Sequence, residues 1–231
     1  MTILPNYDAV AAQTWQHSDF VYENLAQSRS LFDFLSCGTI KPRNFEVYAL
    51  VAGLPFSGEM RTKILSLQRS IGSLVKHDEI YWVKARNLAT EFIVFKWPEQ
   101  GWDRGKEGDV LRAMQSLKFE AFEIKYSGFQ VNPDGCVVVK GFDGSGQFSL
   151  VRDFFKRELS FLSVRQSAWF HIPIGRILRP VGTKNFRELR RFIEGNSSSF
   201  LIHEPISTLA LVHETRWYME EREIINTVSA A

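Results

Sequence analysis

Several features are scarce in this chain, and each scarcity excludes a class. Two cysteines, Cys37 and Cys136, stand among 231 residues with no CxxC spacing. With no evident secretory signal, that argues against a disulfide framework and for a reducing, cytoplasmic setting. No apolar run approaches the roughly 20 residues of a membrane-spanning helix, so no membrane partner is expected. The formal net charge is only +2, too little to hold nucleic acid by bulk electrostatics, so any such contact needs a local site. Acid and histidine clusters are equally sparse. His77-Asp78-Glu79 reads as a solvated loop without a matching ligand set elsewhere, and neither a metal nor another cofactor is expected. No low-complexity linker divides the chain.

What is present is bulk. Apolar residues make up 45% of the chain and aromatic residues 13%, with nineteen phenylalanines, enough for a large aromatic core. Residues 1–42 differ in character from the rest and are expected to be an N-terminal helical extension. In it Ser18-Asp19 caps a helix to Leu35 through Val21, Leu25, Phe32 and Leu35, closed by Cys37-Gly38. Its apolar stripe is expected to dock on the body of the chain, the alternative being a partner-binding helix. Residues 43–231 form the main domain. Phe45–Leu54 reads as a strand ending in a Pro55–Gly58 turn, and Met60, Ile64, Leu67, Ile71 and Leu74 mark an amphipathic helix. A short strand follows at Ile80–Val83 and a longer one at Leu88–Phe95, then a helix around Val110–Leu117. A hairpin turns at Asn132-Pro133-Asp134-Gly135, and a third helix runs through Val151, Phe155 and Leu159. Thr183 is expected to cap a helix whose exposed side carries Lys184, Arg187, Arg190 and Arg191. Two final strands span Ile206–Val212 and Trp217–Thr227, with His203 in a loop before them. Helices interleaved with hairpins predict an α+β fold with antiparallel pairing, not a doubly wound parallel sheet.

The stretch with the most chemistry is W-F-H-I-P-I-G-R-I, Trp169 to Ile177. Strand alternation puts Trp169, His171 and Pro173 on one face and Phe170, Ile172 and Ile174 on the other, the core face. A histidine and an arginine, His171 and Arg176, at the open face of a sheet suggest an anion site, provided a second strand supplies a partner.

These segments together resemble the 2H phosphoesterase superfamily, in particular its bacterial RNA 2′,5′-ligase and cyclic phosphodiesterase branch. V-Y-A-L-V-A-G-L-P-F is similar to the family's opening strand with its Leu-Pro turn. W-V-K-A-R-N-L-A-T-E-F resembles the strand that carries the first His-x-Thr, and F-H-I-P-I-G-R-I the second. The hairpin F-E-I-K-Y-S-G-F-Q-V-N-P-D-G and the tail A-L-V-H-E-T-R-W-Y follow in the family's order, so the similarity covers about residues 45–227. The resemblance implies a bilobal fold, two antiparallel sheets flanking a central cleft with helices outside. It also implies two histidines facing one another, one removing a proton from the attacking oxygen and one protonating the departing oxygen, with paired hydroxyls on the phosphate.

The sequence departs from that pattern in both halves. The first motif reads Ala89 and Glu91 where histidine and hydroxyl are implied, and the second keeps His171 but has Pro173. A missing general acid or base costs about 100-fold to 10,000-fold in rate. A carboxylate about 4 Å from a phosphodiester would repel it by roughly 4 kcal/mol at an effective dielectric near 20. The expectation is therefore a degenerate member without the standard activity, with Glu91 paired to His171 or Arg176 across the old site. The implied ligand is a nucleotide or an RNA 2′,3′-cyclic phosphate end, with Arg176 and Tyr48 as binding residues and Tyr48 stacking. Two alternatives stand beside it. One is an active cyclic phosphodiesterase or RNA ligase-like enzyme with His171 and Glu91 as catalytic groups, Glu91 a base whose pKa is raised by burial. The other is a protein-interaction scaffold with a closed cleft, its partner held by the N-terminal helix or the basic helix around Arg190. His213-Glu214-Thr215 is the one literal His-x-Thr, but it lies in the final-strand region, out of place for the first motif.

Overall fold

A computed structural model describes residues 6–36, 38–167 and 169–231. Two large antiparallel sheets organise it. The first has four strands in the order β11-β10-β3-β5, from β3 (Val47–Ala52), β5 (Thr90–Lys96), β10 (Thr208–Arg216) and β11 (Glu221–Ser229). The second has five in the order β4-β8-β7-β6-β9, from β4 (Ile80–Trp82), β6 (Phe122–Val131), β7 (Cys136–Asp143), β8 (Phe170–Ile177) and β9 (Leu201–Ile206). Two short strands, β1 (Phe32–Phe34) and β2 (Ile40–Pro42), pair separately. The α+β class and antiparallel pairing are those the interleaved pattern implied.

The four helices of the main body answer to local chemistry. In α3 (Gly58–Gly72) the stripe Met60, Ile64, Leu67 and Ile71 is buried, and Ser57 caps the helix by accepting from Met60 N. Asp103 caps α4 (Arg104–Ser116) through Lys106 N. Helix α5 (Gln147–Glu158) has no cap from its own N-cap residue, Gly146, but the Asp143 carboxylate accepts from the backbone N–H groups of Ser145, Gly146 and Phe148. In α6 (Thr183–Asn196) Thr183 is the first helical residue and not the cap. Gly182 holds that position with a φ of 84°, and Asp19 accepts from the Val181 and Gly182 amides just before the helix.

The N-terminal region differs most from expectation. Instead of one helix to Leu35, two short helices form, α1 (Tyr7–Thr14) and α2 (Tyr22–Arg29), and Phe32 belongs to β1. A short apolar run does not distinguish helix from strand by spacing alone. Phe32 is drawn out of the helical register by the rings of Tyr81 and Tyr218, 5.1 and 6.0 Å away. Asp19 caps nothing in α2, whose N-cap is Val21 without a side-chain bond. Gly38 sits in the β1–β2 turn with a φ of 80°, and Cys37 lies outside the described residues. Both helices lie on the second sheet: Tyr7 hydrogen-bonds the Gly141 backbone, Thr14 donates to Val131 O and Arg29 to Leu178 O.

Strand β9 replaces the loop expected around His203, where Pro205 interrupts the strand pattern. It is an edge strand, in which a missing N–H disturbs no ladder. Its burial alternates, with Ile202, Glu204 and Ile206 inside and His203 outside against Glu123. Glu79 also departs from the solvated loop expected for it, being buried with its carboxylate on Lys76 N.

Gly135, at a φ of 82° in the β6–β7 turn, and Gly175, whose missing Cβ leaves room for Trp82, are the two glycines the site depends on. The docking of α2 is testable through Leu25, which is 0% exposed. Leu25→Ala should lower unfolding stability by about 2–5 kcal/mol, read as a shift in urea midpoint. A change within error would show that α2 does not belong to the folded core.

Candidate functional site in the inter-sheet cleft

A cleft of about 510 Å³ lies between the two sheets. Its floor comes from the first sheet. Register places Ala210, Val212 and Glu214 of β10 beside Val51, Ala49 and Val47 of β3, and Glu91 and Val94 of β5 beside Val51 and Ala49. A bulge lets β5 skip Phe92 between Ile93 and Glu91, so Phe92, Ile93 and Phe95 all reach the core while Glu91 stays on the cleft face. Val47, Ala49, Val51, Ala89, Val94, Ala210 and Val212 form an apolar cluster distinct from the main core.

The second sheet supplies the facing wall through β8. Trp169, His171 and Pro173 line the cleft, and Phe170, Ile172 and Ile174 are buried behind them, as alternation requires. Arg176 breaks that parity. A bulge at Ile174 pairs Val138 with Pro173 but Val137 with Gly175, which turns Arg176 onto the same face as His171.

Several bonds hold the two walls in place. The Gln166 side-chain amide pairs with both Val94 N and Val94 O, covering the β5 edge from the segment that leads into β8. The Thr90 and Tyr126 hydroxyls bond to each other in the core. Glu220, in the β10–β11 turn, holds Tyr81 and Lys84, and Arg222 reaches Asn87 and Arg86 O.

The structure therefore gathers Ala89, Glu91, His171, Pro173 and Arg176 around one cleft. It leaves Tyr48 out. Tyr48 is on the opposite face of β3 from Ala49, stacked between Trp102 at 4.5 Å and His213 at 4.3 Å, so the stacking role expected of it in the cleft is corrected. The rings that do line the cleft are Trp97, Trp169, Trp217 and Tyr218. Glu214, the middle residue of the literal His-x-Thr, also lines it, whereas His213 faces away toward Glu46. Alternation along β10 was the signal that separated these two.

The expected pairing of Glu91 with His171 or Arg176 is not formed. Arg176 is engaged by its own surroundings: Nη1 donates to Ser28 Oγ at 2.6 Å and Asp134 Oδ2 at 3.0 Å, and Nε to the Tyr218 hydroxyl at 2.8 Å. Ser28 comes from α2, which thus contributes to the cleft mouth together with Gln27. The other cleft arginine, Arg165, pairs with Glu99 at 3.2 Å and lies over the Trp97 ring at 4.4 Å.

Burial governs the remaining titratable groups. It pushes Glu91 up to about 7 against the opposing charges of Arg152 and Arg165. It pushes Glu214 up to about 8, with the Met219 and Tyr218 amides and Arg222 acting the other way and Glu91 adding to the rise. Burial carries His171 down to about 4, helped by the nearby Arg176 and Arg152 and opposed by Asp134 and the Trp169 backbone. All three shifts favour the uncharged form. Three atoms of cleft residues, His171 Nδ1, Glu214 Oε1 and Trp217 Nε1, are shut from solvent with no hydrogen-bond partner among the described residues.

This architecture, two sheets with a cleft between β5 and β8, is the 2H phosphoesterase fold. Among solved structures, Escherichia coli LigT complexed with 3′-AMP matches with a TM-score of 0.57 at 10% identity, covering 81% of this chain and 99% of that one. TT0787 of Thermus thermophilus matches at 0.55 and 14% identity, covering 79% and 97%. The conserved protein ATU0111 of Agrobacterium tumefaciens, itself of unknown function, matches at 0.60 and 13%, covering 80% and 86%. No family model and no curated protein matches the sequence. Among the described residues no helix is long and apolar enough to cross a membrane.

A raised carboxyl pKa has a definite sign in stability. Glu91 and Glu214 bind protons more tightly folded than unfolded, so the fold loses stability as pH rises from the unfolded value of 4.5 through about 7 and about 8. Glu91→Gln and Glu214→Gln should each leave stability unchanged near pH 4 and raise it at pH 8.5 by at least about 1 kcal/mol, one pKa unit being about 1.4 kcal/mol. Denaturant melts at the two pH values check this, and equal effects at both would show that the carboxyls are not held neutral.

Proposed function

We propose that the chain is a catalytically degenerate protein of the 2H phosphoesterase fold, whose cleft binds a ring-bearing small molecule and does not cleave phosphodiesters. One observation carries this reading: Ala89, at the position where the resemblance implies the second histidine, lines the same cleft as His171 and belongs to an apolar cluster, so it offers no proton carrier for the second side of an in-line displacement. His171 alone does not compensate. With its pKa at about 4, about one molecule in a thousand carries the imidazolium at pH 7, and a lone neutral imidazole serves as base only. LigT has been solved with phosphate, 3′-AMP, NADP+ and ATP, ligands that offer phosphate and, in three cases, an aromatic base. In this cleft the support is for the ring. Arg176 and Arg165 already hold Asp134 and Glu99, while Trp97, Trp169 and Trp217 supply aromatic surface.

A second reading has one observation in its favour, the Glu91 carboxyl at about 7. In it Glu91 and His171 form an acid–base pair, but with roles opposite to those expected from the sequence. Between pH 4 and 7 Glu91 holds the proton and His171 is the free base.

Both readings meet in one assay, hydrolysis of 2′,3′-cyclic AMP by the whole chain from pH 3.5 to 9. The degenerate reading expects no turnover above that of His171→Ala. A bell-shaped rate with limbs near 4 and 7, abolished in both Glu91→Gln and His171→Ala, would overturn it in favour of the second.

A further inference from the structure

From the charge balance of the cleft we infer that its ligand is an uncharged, flat ring compound with an amide-like edge, a hydrogen-bond donor beside an acceptor. This deepens the proposed binding function and rests on it. An anion is disfavoured because the two cleft arginines are paired, Arg176 with Asp134 and Arg165 with Glu99, so an incoming phosphate or carboxylate must displace a carboxylate to gain a cation. A cation is disfavoured because the two carboxyls without ion-pair partners among the described residues, Glu91 and Glu214, sit against an apolar floor that resists their ionisation.

The groups around these carboxyls point the same way. Glu91 faces Arg152 of α5, Arg165 of the segment before β8, and Glu214 of β10. Glu214 faces the Tyr218 and Met219 amides and Arg222 of β11. His171 faces Arg176, Asp134 and Arg152. Even with these cations near, burial prevails at both carboxyls and raises them to about 7 and about 8. A protonated carboxyl presents an O–H donor beside a C=O acceptor, the complement of an amide edge.

An independent observation calls for a ligand. Glu214 Oε1, His171 Nδ1 and Trp217 Nε1 are buried and unpartnered among the described residues, and a buried polar atom left without a hydrogen bond is costly to keep. They belong to three residues around one cleft of about 510 Å³, within the usual range of about 300–1,000 Å³ for small-molecule sites. The apolar floor and the indoles of Trp169 and Trp217, which line the cleft, fit a flat ring, and the neutral polar groups fit its edge.

Benzamide, benzoate and benzamidine share one shape and differ in charge, so they form the test, with 3′-AMP alongside. Binding to the full chain is followed by tryptophan fluorescence and calorimetry. Benzamide should bind at pH 6 at least tenfold more tightly than benzoate or benzamidine, and its affinity should fall about tenfold or more between pH 6 and 9 as the carboxyls ionise. In the Glu91→Gln/Glu214→Gln double variant, which fixes the neutral form, the loss at pH 9 should disappear. Tighter binding of benzoate or benzamidine, or a benzamide affinity flat with pH in the unmodified chain, overturns the inference. Binding of 3′-AMP without any of the three probes overturns it too while leaving the binding function standing. Turnover of cyclic AMP is the separate result that removes that function.

Discussion

Removal of water from the cleft floor is the constraint on which the rest of this molecule depends. Seven small aliphatic residues, from Val47 to Val212, make that floor a hydrophobic surface in its own right. Burial biases both carboxyls set against it, Glu91 and Glu214, toward their neutral forms. Ala89 belongs to this surface, where the fold's resemblance led to the expectation of a histidine. An alanine here offers no proton carrier, and it extends the apolar surface beside which burial raises the Glu91 carboxyl, two residues further along the chain, to about 7.

Fixed charge is confined to pairs, and the pairs also hold the walls. Arg176 joins β8, the β6–β7 turn, the β10–β11 turn and α2 through Asp134, Tyr218 and Ser28. Freeing its guanidinium would loosen four elements at once. Gln166 performs the same service for β5 without charge, its amide completing the edge of Val94 as a neighbouring strand would. The cleft is thus fixed by contacts that leave its interior largely uncharged. The N-terminal helices take part, since Tyr7 packs edge-on to Trp169 at 4.8 Å and Ser28 completes the Arg176 network.

Much of this was legible from single residues and spacings, and the exceptions have physical causes. The stripe of α3, the Asn132–Gly135 turn and the two faces of β8 up to Pro173 follow from local periodicity and turn chemistry, which a sequence displays directly. Arg176 was expected at the open face beside His171, although strict alternation points it into the core, and it is a bulge at Ile174 that reverses the parity and brings it there. Tyr48 failed for the opposite reason. Its parity on β3 was readable, but which face of that strand meets the cleft depends on a partner sheet far away in sequence. Glu214 was hidden inside a motif read for its histidine. The breakup of the N-terminal helix was set by rings of Tyr81 and Tyr218 about 50 and 190 residues further on, beyond the reach of any local window.

Placing a histidine at position 89 would not by itself supply the chemistry that the resemblance implies. A new imidazole there would enter an apolar cluster and, like His171, which burial carries down to about 4, would be held neutral and a poor acid. Pro173 would still offer no hydroxyl to a phosphate oxygen. Arg176 would still have to exchange Asp134, at 3.0 Å, for the ligand. On the proposed reading Ala89, Glu91 and Pro173 are therefore coupled through one medium: against an apolar floor neutral side chains are the stable occupants, and the proposal of an uncharged guest follows from the same physics.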